Sequence, residues 1–245
     1  MANLPDPRST SAGFNGVQAG TVDAAFDAGL RSHMLSIYNY MASAVLVTGI
    51  VALLFAQSGL AYQVLAGGGL PAYALMFAPL IFVMVLSFGI GRLQTSTAQM
   101  IYWAYAVVMG LSMSSIFLVF TQMSIAQTFF ATAAAFAGLS LYGYTTKRDL
   151  SAVGTFLIMG VVGILIASLI NLFLQSTGLE LAISILGVLI FAGLTAYDTQ
   201  RLKSQYAYVA GTDMEGKSVI LGALSLYLDF VNMFMFLLRF LGNRN

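Results

Sequence analysis

The chain has no cysteine, a single histidine and only nine acidic residues among its 245 residues, and 8% of it is charged. Without cysteine there is no disulfide and no thiolate chemistry. With His33 alone, no histidine cluster exists to hold zinc. A net charge of +1 offers no basic footprint for nucleic acid. A soluble domain carries roughly 25% charged residues, so the scarcity of charge here excludes an ordinary soluble core. Residues 1–35 open with MANLPDPRSTSAGFNGVQAG, a polar stretch without the apolar centre of a cleavable signal peptide.

What the chain has is hydrocarbon: 59% of its residues are hydrophobic. They come in continuous runs of about 20, the length that spans a bilayer, and not in the short alternating strands of a membrane barrel. Seven runs are predicted, at about 36–58, 72–91, 100–120, 124–143, 152–174, 181–200 and 219–241. The fold class is therefore an all-α integral membrane protein with seven transmembrane helices and the lipid bilayer as its first partner. Residues 1–18, rich in Pro, Ser, Gly and Asn, are expected to be a disordered tail, and 19–245 a single membrane domain.

Within that domain, Val22, Phe26, Leu30, Met34 and Ile37 recur at helical spacing, with Asp23, Asp27 and Arg31 on another face. This short lead-in helix either lies at the membrane interface or extends span one into the cytoplasm. His33 then falls in a solvated position. The stretch 201–218 mixes both charges and is expected to be a solvated connector. Pro79 falls inside span two, where a kink is expected.

Orientation follows from the basic residues. Arg8, Arg31, Arg92, Lys147, Arg148, Arg201, Lys203 and Lys217 fall on one side of the spans, and only Arg239 and Arg244 on the other. This predicts a cytoplasmic N-terminus and, after seven spans, a C-terminus outside.

Two aspartates stand against the apolar background. Asp198 lies in span six and Asp229 in span seven. An acid at bilayer depth costs about 2.5–3.5 kcal/mol on insertion scales, so it faces the protein interior and has a partner or a task. In span seven Ser218, Gly222, Ser225, Asp229, Asn232 and Arg239 share one helical face. Span six has a weaker stripe of Ser184, Gly187, Phe191, Thr195 and Asp198. Two neighbouring buried carboxyls cannot both ionise cheaply, so such a pair holds a shared proton and acts as a switch; when open, its oxygens are free for a cation. The alternative for Asp198 is a side chain that snorkels to the cytoplasm beside Arg201. Arg92, at the end of span two, either neutralises the aspartates or anchors its helix by the positive-inside rule. Asn171, near the outer end of span five, is placed to bond across helices. No nucleophile–base pair or metal set marks an enzyme, and no predicted span contains a lysine for a retinal Schiff base.

Four stretches carry a family resemblance: TTKRDLSAVGTFL at 145–157, ASLINLF at 167–173, AYDTQRLK at 196–203 and ALSLYLDFVNMFMFLLRFLG at 223–242. In this order they resemble the transmembrane Bax inhibitor motif family in its bacterial branch, over about Asp27 to Gly242. The resemblance implies seven helices with the last one central, and a pH-sensitive calcium leak of the cytoplasmic membrane with a di-aspartyl sensor. It maps the sensor and gate onto Asp198 and Asp229, which would also be the calcium ligands, and a charge partner onto Arg92. Ser225, Asn232, Asn171 and Thr195 are the candidate pore or polar-stripe residues. Calcium would be the transported ion, with no resident cofactor. The sequence departs from some members in having no acid in span two, where LIFVMVLSF occupies 80–88, and in a longer loop between the aspartates. A second reading is an interaction protein that regulates a membrane-bound ATP-dependent protease or a stress response, working through the N-terminal segment and the 201–218 stretch.

Overall fold

In hydrocarbon every backbone N–H and C=O must be satisfied within its own segment, so long apolar runs become helices. The computed structural model describes residues 12–244, and its elements in chain order are α1 (Ala12–Gln57), α2 (Leu60–Ala66), α3 (Gly69–Gly89), α4 (Thr95–Met113), α5 (Ile116–Val119), α6 (Gln122–Thr145), α7 (Ser151–Leu174), α8 (Thr177–Val209) and α9 (Glu215–Leu241). Seven segments are long and apolar enough to cross a membrane, α4 and α5 together making one of them. They match the seven predicted runs. The disordered tail expected over 1–18 lies, up to residue 11, outside the described residues; from Ala12 the backbone is helical. The lead-in segment is continuous with span one in a single helix.

Helix ends follow local chemistry. Thr121 caps α6 by accepting the Ser124 N–H at 3.3 Å, and Ser176 caps α8 by accepting the Leu179 N–H at 3.4 Å. The α7 helix ends on Gln175 in the left-handed region (φ 48°), and the Asn171 side chain accepts the Ser176 N–H there at 3.0 Å. Asn171 thus closes its own helix and, among the described residues, makes no hydrogen bond across helices, a correction to its expected role. Its amide sits one turn from the end of α7, where unpaired backbone groups are the nearest partners.

The last helix packs against α8, α1, α6, α4 and α3. Of its most apolar stretch 67% is buried, against 6% for α7, which packs chiefly on α8. Tyr102, Tyr105 and Tyr227 are fully buried between α4 and α9. Thr48 on α1 donates to the Ala106 carbonyl at 2.9 Å and shares a hydrogen bond with the Tyr227 hydroxyl at 2.7 Å. A β-carbon at Gly143 on α6 would stand 2.2 Å from the Ala196 carbonyl oxygen on α8, so only glycine permits this approach.

The stretch 201–218 departs from its expected form. The α8 helix runs on to Val209, leaving only 210–214 as a connector. At 1.5 Å per residue its 33 residues measure about 50 Å, against about 30 Å of hydrocarbon. Leu202 and Tyr206 on the added turns are buried, and the Tyr206 ring lies 5.1 Å from that of His33. His33 is therefore buried at 5% exposure and not solvated: the prolonged α8 covers it.

At one end of the bundle the chain after α9 is fastened to the start of α6. Phe120 and Arg244 form an isolated antiparallel bridge, the Thr121 N–H donates to the Asn243 carbonyl at 3.0 Å, and the Asn243 N–H donates to Ser124 Oγ at 2.8 Å. Arg244 also pairs with Glu180 of α8 at 3.0 Å.

Candidate functional site: an aspartate pair between α8 and α9

The polar stripes of α8 and α9 meet. Asp198 and Asp229 are 7% and 4% exposed, on two helices that pack against each other. Asp198 is held on both oxygens. Oδ2 accepts a very short hydrogen bond from the Ser225 hydroxyl, one turn before Asp229 on α9, and Oδ1 lies 3.4 Å from the Arg201 guanidinium. Arg201 also donates to Ser225 Oγ at 3.3 Å, which closes a triangle of Asp198, Ser225 and Arg201. Asp229 is treated differently: its Oδ2 is buried and receives no hydrogen bond from any N–H or hydroxyl among the described residues. The site therefore contains one buried carboxyl held by a hydroxyl and a guanidinium, and one whose Oδ2 has no partner among the described residues.

Arg201 also lies over the Tyr197 ring, 5.7 Å from its centroid, while its Nε is buried without a partner. Its side chain borders a cavity of about 330 Å³ lined by Lys147, Arg148, Asp149, Gln200 and Ser204, among others. Gln200 fastens the rim: it accepts the Leu150 N–H at 2.9 Å and donates to the Arg148 carbonyl at 2.8 Å. Arg201 thus links Asp198 to a vestibule that also carries Lys147 and Arg148.

Arg92 stands elsewhere. It is exposed in the turn after α3 and forms no ion pair among the described residues. The cation paired with Asp198 is Arg201, three residues on along the same helix face. Of the other stripe residues, Thr195 is fully buried and donates to the Phe191 carbonyl at 2.8 Å, and Asn232 donates to the Leu228 carbonyl at 2.8 Å. Both satisfy themselves on their own helices. A second polar thread passes close by: Tyr38 on α1 bonds Ser140 on α6 at 2.5 Å, and Ser140 bonds Thr199 on α8, next to Asp198, at 2.9 Å. Its only signal in the sequence was a hydroxyl on each of three apolar helices. Among the described residues no group of three or more His, Asp or Glu side chains could hold a metal ion.

The chain is similar to the inner membrane protein YbhL of Escherichia coli, with 45% identity over 219 residues, which are 89% of this chain and 94% of that protein. An uncharacterised protein of Rickettsia prowazekii is 47% identical over 220 residues, covering 89% of this chain and 92% of that one. One from Caulobacter vibrioides is 45% identical over 238 residues, covering 92% and 94%. The family model described as inhibitor of apoptosis-promoting Bax1 matches residues 30–245, a span holding all seven membrane helices and both aspartates, and the chain belongs to that Bax1-I family.

Proposed function

We propose that the protein is a pH-sensitive cation leak of the bacterial inner membrane, with calcium as its ion and the Asp198–Asp229 pair as its gate. The observation that carries this reading is the burial of both carboxyls on the packed helices α8 and α9, where Asp229 Oδ2 has no hydrogen-bond partner among the described residues. A hydrogen bond between carboxyls requires a proton on one of them. Losing that proton puts two negative charges together in a low-dielectric site, which drives α8 and α9 apart and frees carboxylate oxygens. Calcium takes six to eight oxygen ligands. Two aspartates with the Ser225 hydroxyl supply only part of that shell and water the rest, which suits an ion that passes and does not stay. On this reading the chain is not an enzyme and carries no resident cofactor.

The membrane assignment draws on the Escherichia coli relative, an inner membrane protein. We place the N-terminus in the cytoplasm and the C-terminus outside, which puts the vestibule of Lys147, Arg148 and Arg201 on the cytoplasmic side. Calcium flux into proteoliposomes holding the full chain, measured across a pH series, tests the proposal. The wild type should leak calcium with a clear pH dependence. Asp198→Asn and Asp229→Asn should each flatten it, and the double variant should differ little from either, because groups sharing a proton are not additive. A wild type with no calcium flux at any pH, or with a profile untouched by both substitutions, overturns it.

A further inference from the structure

A concave groove opens between α1 and α6, with a volume of about 660 Å³. Met34, Met41 and Val45 form one wall, Phe129 and Phe136 the other, and Phe230 of α9 the floor. Its lining runs from Arg31 to Leu46 on α1 and from Tyr144 to Phe129 on α6. That is 16 residues on each helix, 15 rises of 1.5 Å or about 22 Å. Only one charged side chain lines it, Arg31, at the same end as Tyr144.

This is not an ordinary lipid-facing surface. Helices that merely face lipid, such as α7, present convex apolar ridges; here the wall and floor residues Met34, Met41, Phe136 and Phe230 are buried below 8% exposure in a hollow that reaches α9. A hollow of this size lined by hydrocarbon and open to the bilayer is filled by hydrocarbon. Its mouth carries positive charge. Arg31 is exposed and forms no ion pair among the described residues, Asp27 one turn earlier included. Lys203 stands behind the mouth, donating to the Tyr144 carbonyl at 2.9 Å with its ammonium 4.9 Å from the Tyr144 ring centroid. A guanidinium at one end of a 22 Å apolar trough matches a lipid phosphate attached to an acyl chain.

We propose that the α1–α6 groove is a binding site for an anionic phospholipid, its acyl chain lying along the groove onto Phe230 and its phosphate on Arg31. The Tyr38–Ser140 hydrogen bond lies within the lining, so the bound chain packs beside the thread that leads to Thr199.

Native mass spectrometry of the full chain, released from mild detergent and titrated with phosphatidylglycerol or phosphatidylcholine of equal chain length, tests this. A phosphatidylglycerol adduct should form with about fivefold preference over phosphatidylcholine. Arg31→Gln should remove that preference and leave phosphatidylcholine binding unchanged. Ala137→Trp, which fills the groove, should weaken both lipids, whereas Leu172→Trp on the exposed face of α7 should weaken neither. Equal binding of the two lipids, a preference that survives Arg31→Gln, or a lipid-free second copy of the chain in place of the adduct each overturns the proposal. If Ala137→Trp does not fold, Arg31→Gln decides alone, because Arg31 is exposed and its replacement leaves the packing intact.

Discussion

Ser225 on α9 donates its hydroxyl hydrogen to Asp198 on α8, and so spends the donor that would otherwise be nearest to Asp229 on its neighbour. The asymmetry of the two carboxyls comes from this bond together with the Arg201 ion pair on the other Asp198 oxygen. Ser225→Ala should leave an Asp198 oxygen short of a donor, a loss of about 1–3 kcal/mol when buried. The expected outcome is a lower thermal midpoint and a displaced pH profile of flux, with Ser225→Thr restoring both. An Ala variant matching the wild type in both readouts would remove Ser225 from the gate.

Arg201 and not Arg92 should set where on the pH scale the gate responds. Removing a fixed positive charge beside carboxyls favours their protonated form. Arg201→Gln should therefore move the flux profile toward higher pH, while Arg92→Gln, in an exposed turn with no ion pair, should leave it in place. The same proteoliposome series measures both, and the reverse ranking would reinstate Arg92 as the charge partner.

Asp149 supplies a control for the pH response. It lies in the connector before α7, where hydrogen bonds from Ser151, from the hydroxyl and then from the backbone N–H, hold its carboxyl below the ordinary 3.8. A group depressed in this way contributes stability above its unfolded value and loses it only as pH falls through the folded one. Between about pH 6 and 8 it is ionised in both states and adds no slope. Asp149→Asn should leave the flux profile unchanged across that window; a flattened profile would move the sensor out of the membrane.

Close packing makes Gly143 irreplaceable. Gly143→Leu would drive a side chain into the Ala196 backbone and should cost about 1–3 kcal/mol or more. Gly163→Ala, with nothing within 4 Å of its β-carbon, should be neutral. Thermal unfolding in one detergent compares them, and equal midpoints would mean that α6 and α8 do not pack as described.

Orientation is open to chemical labelling, since the chain has no native cysteine. Leu65→Cys and Asn243→Cys should react with an impermeant thiol reagent added to intact cells, and Thr212→Cys should not. Labelling at position 212 alone would invert the topology.

The seven spans were legible in the sequence because hydrocarbon thickness and backbone satisfaction leave few alternatives for such long apolar runs. That the polar stripes of α8 and α9 face each other was legible too, because a single polar stripe has one buried direction to face, and Ser225 of one bonds Asp198 of the other. What the sequence obscured lay at the water boundary. RLKSQYAYV reads as a connector by its charges, yet those charges sit on a helix that has left the membrane, and Leu202 and Tyr206 keep an apolar face on α1. His33 was misplaced for the same reason: what covers it is 173 residues away in the chain, at Tyr206. Arg201 lay in plain view at three residues from Asp198, but its bond to Ser225 depends on the crossing of two helices, which spacing within either one does not encode.

The fastening of Asn243 and Arg244 to the start of α6 has a practical consequence for anyone handling this protein. It clips the C-terminal end of α9, the helix that carries Ser225 and Asp229. Reporters or affinity handles fused after Asn245 would tug on that clip and bias the helix before any proton or ion is added, so handles belong at the N-terminal side, ahead of Ala12.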